Sequence, residues 1–179
     1  QKKKRKRYGS GDDKRGQIAN RRPISERPAH IEKRLHIGHW EGDTIIGSQH
    51  QHAIVTLVER KSGFVLLQKV RRKQASVVRE AMVDLLTPYA LCVDTVTLDN
   101  GKEFTEHQKM DEAIQSTTYF ADPFSSWQRG TNENTNGLIR QFIPKARHLS
   151  TVSAEEIIMI QQLLNSRPRK RLGYKTPEQ

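Results

Sequence analysis

Between Trp40 and Val70 the chain carries three β-rich runs whose short connections limit the fold more than any other feature. Trp40–Ile46 ends at Gly47-Ser48, His52–Val58 is dense in β-branched residues, and Lys61-Ser62-Gly63 supplies a turn before Phe64–Val70. Parallel neighbours need about a dozen residues between them, so these three strands form an antiparallel meander. Ala75, Val78, Met82 and Leu85 then recur at helical spacing, and Pro88 stops the segment. The next strand, Val93–Leu98, therefore reaches the sheet by a helical crossover, which favours parallel pairing.

The rest of the chain continues the alternation. Phe104–Ile114 reads as a helix, Thr117–Phe120 as a fifth strand, and Gly130–Phe142 as a helix stopped by Pro144. Ser153-Ala154-Glu155-Glu156 matches a capping box, opening a last helix with Ile157, Ile160 and Leu164 on one face. The predicted class is α/β, a five-stranded mixed sheet flanked by helices.

Charge divides the chain. The net charge is +11, and 13 of the 31 Lys/Arg but only 4 of the 20 Asp/Glu fall in residues 1–34. We read residues 1–35 as a basic arm or linker, partly disordered or extended, and residues 36–179 as the globular core. Such an arm suits a polyanionic partner, gaining affinity by releasing counterions from phosphates; a merely solvated tail is the plainer alternative. The run from Lys2 to Arg7 fits either a nuclear-localisation signal or a DNA-adjacent segment. Cys92 is the single cysteine, which excludes an internal disulfide and a cysteine-based zinc site. No apolar run approaches the ~20 residues of a membrane span, and no signal-peptide pattern is present, so a soluble intracellular chain is expected. The start at Gln1 suggests a fragment.

Acidic residues carry the chemistry. Asp43 sits within the first strand among apolar neighbours, where a carboxylate is costly unless paired or metal-bound. Asp99 ends the fourth strand, before Asn100-Gly101, and ligands gather beyond the carboxyl ends of parallel strands. Should the fourth strand lie beside the first, the two acids become neighbours. At ~4 Å they would repel by about 4 kcal/mol at an effective dielectric near 20. A divalent cation with hard oxygen ligands, Mg²⁺ or Mn²⁺, is the simplest remedy. Glu133 is the third acid; on a helix it shares a small, polar face with Asn136, Gly137 and Arg140. The plain alternatives are turn or capping aspartates and a solvated helix face.

Four blocks carry a family resemblance. Gly38–Gly47, Leu98–Phe104, Asn132–Lys145 and Leu164–Pro177 resemble the acidic blocks and closing segment of bacterial insertion-sequence transposases of the IS-thirty family. The second block is shared with retroviral-type integrases, and 33 residues between Asp99 and Glu133 fit the family's spacing. The resemblance runs from about Ile18 to the end. It implies a ribonuclease-H-like core and a DNA transposase that cleaves phosphodiesters at element ends and transfers strands into target DNA. It also implies Asp43, Asp99 and Glu133 as catalytic metal ligands, for two Mg²⁺ or Mn²⁺ ions. The family's amino-terminal helix-turn-helix region is not found in this sequence. Bacterial cytoplasm next to DNA, and a homo-oligomer assembled on it, follow from the same resemblance.

Other residues receive supporting assignments. Arg140, Lys145, Arg167, Arg169, Lys170 and Arg171 are candidates for DNA contact, with a solvated helix end as the alternative for the last four. Glu41, Glu103 and Asn136 are expected to support the metal ligands. Trp40 is assigned to the core; Trp127 could stack on a base, but packing against the sheet is the favoured expectation. His107 and His148 receive no role. Two rival functions remain at this level: a nuclease on the same scaffold without strand transfer, and an inactive DNA-binding or assembly module.

Overall fold

A computed structural model of the chain describes residues 18–48 and 51–179; the lysine-arginine run of residues 2–7 lies outside them. Five strands form one sheet in the order β3-β2-β1-β4-β5. These are β1 (His39–Ile46), β2 (Ala53–Glu59), β3 (Val65–Val70), β4 (Thr95–Leu98) and β5 (Thr117–Phe120). β1, β2 and β3 pair antiparallel, whereas β1–β4 and β4–β5 are parallel. The helices are α1 (Ala75–Leu86), α2 (His107–Ile114), α3 (Gly130–Phe142) and α4 (Ala154–Asn165).

Two apolar clusters hold the layers. α1 and α2 place Val78, Met82, Leu86, Met110 and Ile114 against Trp40, Val55, Leu57, Leu98 and Phe120. On the opposite face, Ile139 of α3 and Ile157, Ile160 and Leu164 of α4 meet Ile45, Ile54, Val58, Val65 and Leu67. Alternate β2 residues thus serve opposite clusters, so every residue of the strand is buried, which explains a sequence that is apolar on both faces but for Thr56 and Glu59. Each large side chain buried this way contributes roughly 1.5–3 kcal/mol. Gly42 lets the layers close: a Cβ there would stand 2.6 Å from Leu98 Cδ2.

Boundaries differ from the sequence reading where local packing overrides periodicity. Phe104 lies in a short 3₁₀ turn (Lys102–Phe104) that drops its ring into the core, so α2 starts at His107. Pro88 does not stop the chain's coiling; it sits at the start of a 3₁₀ stretch (Thr87–Cys92), where a missing N–H costs nothing. The capping box is formed, with Ser153 Oγ accepting from Glu156 N at 3.2 Å. Among the described residues no helix is long and apolar enough to cross a membrane.

The described part of the expected arm is not loose. Ile18 and Ile31 are buried, Pro23 bridges to Phe120, and Phe120 N donates to Arg22 O at 2.8 Å. Arg27 is buried and donates to Thr97 Oγ1 at 2.8 Å and to Glu32; burial lowers its pKa to about 10. The packed region therefore reaches back at least to residue 18, because two isoleucines and a buried arginine network tie this segment to the sheet.

Candidate active site

The parallel β1–β4 pairing matches Glu41 to Thr97, which puts Asp99, one residue past β4, alongside Asp43. Each carboxylate is oriented by its neighbours. Asp43 Oδ1 accepts from Thr44 N at 2.7 Å and Oδ2 from Asn136 Nδ2 at 3.0 Å. Asp99 Oδ1 accepts from Gly101 N at 2.8 Å, an Asx turn. Burial pushes the Asp43 pKa up; Arg129 opposes this and Asp99 adds to it. The pair meets at one group: Arg129 Nη1 lies 3.5 Å from Asp43 Oδ2, and Nη2 lies 3.4 Å from Asp99 Oδ2.

α3 supplies the wall opposite β1. Arg129, just before the helix, donates to Gly42 O at 3.0 Å. Asn132, fully buried, donates from its backbone N to Glu41 Oε2 at 2.8 Å and from Nδ2 to Glu41 O at 3.0 Å. Asn136 reaches Asp43 as above, and Arg140 Nη2 donates to Ile46 O at 2.7 Å. Offsets of three, four and four place these side chains on one stripe. Glu133 stands beside the stripe, exposed in the first turn of α3, and receives only a long 3.5 Å contact from Ser126 Oγ. Among the described residues no three His, Cys, Asp or Glu side chains are already grouped to hold a metal ion. The structure brings Asp43 and Asp99 together and leaves Glu133 at the rim.

Several supporting assignments change. Glu41 is fully buried and held in an ion pair, its oxygens accepting from Arg60 Nε at 2.9 Å and Asn132 N at 2.8 Å, so both are engaged by protein donors. Glu103 pairs with Lys73 at 2.6 Å and accepts from Thr44 Oγ1 at 2.9 Å. A Cβ on Gly101 would collide with both Glu103 Oε2 and Asp99 Oδ1, so glycine is what lets these two acids crowd together. Arg140 is half-buried and tied to a carbonyl, and burial lowers its pKa; its head is turned to β1 rather than to a phosphate. Arg169 similarly donates to Leu164 O at 3.0 Å and Arg171 to Arg60 O at 3.2 Å. Lys145, Arg167 and Lys170 are exposed.

Trp127 is 71% exposed instead of packed on the sheet, and Phe124 is fully exposed at a left-handed φ of 61°. With Asp99, Gly101 and Arg129, Phe124 lines an open cleft of about 480 Å³. A second groove of about 770 Å³ is lined by His52, Arg71, Arg72 and Lys73 at the edge of the sheet end towards which β1 runs. Arg71 and Arg72 carry no sequence signal beyond adjacency. Arg129 and Asn132 could have been found, since they fall on the same helical spacing as Asn136 and Arg140. His107 is buried edge-on against Phe120 with ring centroids 4.9 Å apart, and His148 Nδ1 is 3.0 Å from Ser48 Oγ.

A mixed sheet in this strand order, flanked by helices on both faces, is a ribonuclease-H-like fold. A bovine immunodeficiency virus (BIV) integrase catalytic core superposes with a TM-score of 0.60 at 20% identity, covering 79% of this chain and 91% of that one. A chain of a simian T-cell lymphotropic virus intasome in complex with PP2A regulatory subunit B56 gamma matches with a TM-score of 0.64 at 17% identity, over 81% of this chain and 54% of that one. No family model matches the chain. The chain is a homologue of insertion-sequence transposases of the IS30 kind. It is 44% identical over 171 residues to the transposase of IS4351 from Bacteroides fragilis, covering 96% of this chain and 52% of that one. It is 43% identical over 164 residues to transposase InsI of IS30A from Escherichia coli K12, covering 90% and 42%. The IS1086 transposase of Cupriavidus metallidurans is 45% identical over 170 residues, covering 94% and 50%. The chain spans about half the length of the curated relatives it matches.

Proposed function

We propose that this domain carries the strand-cleavage and strand-transfer chemistry of a DNA transposase, with Asp43, Asp99 and Glu133 as its metal ligands. The observation that supports this most is the convergence of Asp43 and Asp99 on a single positive group, Arg129. The donor set fits a divalent cation of the Mg²⁺ or Mn²⁺ type: hard carboxylate oxygens, with the space between them already holding positive charge. Two such ions would be held by Asp43, Asp99 and Glu133 and would supply Lewis-acid chemistry at the phosphate.

Bound there, such ions lower the pKa of an attacking water or 3′-hydroxyl and neutralise charge on the phosphate. The protein's own part is positioning. Thr44 N and Asn136 fix the plane of Asp43, and Gly101 N fixes Asp99. Glu133, exposed and weakly held, would complete the ligand set. Lys73 and Thr44 keep Glu103 in place beside Asp99.

DNA is the partner. Lys145, Arg167 and Lys170 offer exposed cationic heads, and the groove lined by Arg71 and Arg72 adds a second track for a phosphate backbone. Phe124 and Trp127 offer π faces for an unpaired base at the cleft. Ile158, Met159 and Leu163, exposed on α4, support self-association when the domain assembles on DNA.

The test is joining of a labelled, pre-cut 3′ end to a second duplex in Mn²⁺. Joined product that disappears in Asp43→Asn, Asp99→Asn and Glu133→Gln is expected. Nicking with no joined product under any divalent ion would leave a nuclease and end the transposase reading.

A further inference from the structure

Arg129 is held in an unequal way. Its side chain is about 10% exposed. It is anchored firmly at one point, where Nη1 donates to Gly42 O at 3.0 Å, on the strand that carries Asp43. Its contacts to the two carboxylates are longer, 3.5 and 3.4 Å, beyond the usual range of an N–H···O bond. Nε is buried with no hydrogen-bond partner among the described residues. A guanidinium evolved only for structure would be expected to use its fork on one carboxylate in short, paired bonds. This one is spread between two acids and bonded well to neither.

The atoms it touches matter. The Oδ1 atoms of Asp43 and Asp99 are occupied by backbone N–H groups of Thr44 and Gly101. The guanidinium lies against both Oδ2 atoms, with Asn136 Nδ2 also donating to that of Asp43 at 3.0 Å, so it stands where the two carboxylates meet and where a shared cation would sit. A guanidinium and a divalent ion cannot share that space, because both desolvation and like-charge repulsion oppose it.

Resting on the metal-binding reading above, we propose that Arg129 is a resident counter-cation of the aspartate pair. It holds Asp43 and Asp99 together before the ion arrives and gives up their Oδ2 atoms when the ion enters. Throughout the exchange it stays tethered through Gly42 O. Arg129 is thus a positioning residue that sets metal affinity, and it weakens binding in return for a preassembled dyad. A released guanidinium at that tether faces the cleft, within reach of a phosphate brought by DNA.

The sign of one measurement separates this from a structural role. Mn²⁺ affinity is measured by calorimetry on the parent chain, Arg129→Met, Arg129→Lys and Asp99→Asn, with folding checked by circular dichroism. Arg129→Met is expected to bind Mn²⁺ about tenfold tighter, to melt lower without metal, and to gain more from added Mn²⁺. Arg129→Lys, which keeps charge but cannot span both acids and Gly42 O, is expected to fall between the two. Equal or weaker Mn²⁺ binding by folded Arg129→Met overturns the proposal. If the methionine variant does not fold, equal or weaker binding by Arg129→Lys overturns it instead. Mn²⁺ binding by the parent that ignores Asp99→Asn overturns the metal site itself.

Discussion

Replacing Glu41 by Gln separates a structural acid from a metal ligand, and the structure allows the size of the effect to be worked out. Glu41 is fully buried, and its two oxygens accept from Arg60 Nε at 2.9 Å and Asn132 N at 2.8 Å. An amide must turn its NH₂ towards one of these donors, and it removes the charge opposite Arg60. Breaking one side of a buried ion pair costs about 3–5 kcal/mol. Arg60 keeps Ile31 O and Glu32, which places the loss at the lower end, about 3 kcal/mol. For a domain of this size each kcal/mol moves Tm by ~2–4 °C, so a fall of roughly 6–12 °C is expected in thermal unfolding. Mn²⁺ affinity, measured below the transition, is expected to stay within about twofold of the parent, since both Glu41 oxygens are engaged by protein donors. A variant that melts like the parent but loses Mn²⁺ binding would refute this division of roles.

Further outcomes follow from the same geometry. Burial raises the folded pKa of Asp43 above its unfolded value, so ionising it as pH rises through that pKa removes stability. Asp43→Asn is therefore expected to raise the metal-free Tm at neutral pH, with the gain vanishing below the unfolded pKa and with activity abolished. Gly42→Ala brings a Cβ to 2.6 Å from Leu98 Cδ2, and calorimetry is expected to show about 1–3 kcal/mol of destabilisation from overpacking. Trp127→Ala and Phe124→Ala are expected to leave Tm nearly unchanged while weakening single-stranded DNA binding by roughly 1–3 kcal/mol each. The double variant Arg71→Gln/Arg72→Gln is expected to reduce the salt slope of DNA affinity by up to about two.

The sheet was legible because its signals are local and redundant. Short connections fix the meander, and a helix before β4 favours a parallel crossover; that β4 lies beside β1 came from the structure. Asp43 and Asp99 were legible for the same reason: a charge within an apolar strand and an acid at a strand end stand out against their neighbours. Arg129 was only half legible: its spacing to Asn132, Asn136 and Arg140 marks a shared stripe, but its meaning comes from Gly42, Asp43 and Asp99, 30 or more residues away. The packing of residues 18–34 was hidden in the same way. The two buried isoleucines of this charged stretch, Ile18 and Ile31, show no helical or strand period, and the arginine network that anchors them spans Thr97, Glu32, Arg60 and Glu41. Arg140 and Trp127 reversed their expected placements because a helix face says which residues travel together, not whether they meet backbone, DNA or solvent.

The most direct test of the central claim is anomalous diffraction from crystals of this domain containing Mn²⁺. The account expects a peak within about 2.0–2.2 Å of carboxylate oxygens from both Asp43 and Asp99, with Glu133 rotated in to meet it and the Arg129 guanidinium drawn back. Mn²⁺ seated elsewhere on the molecule, at concentrations that support DNA joining, with Arg129 still between the two aspartates, would contradict it.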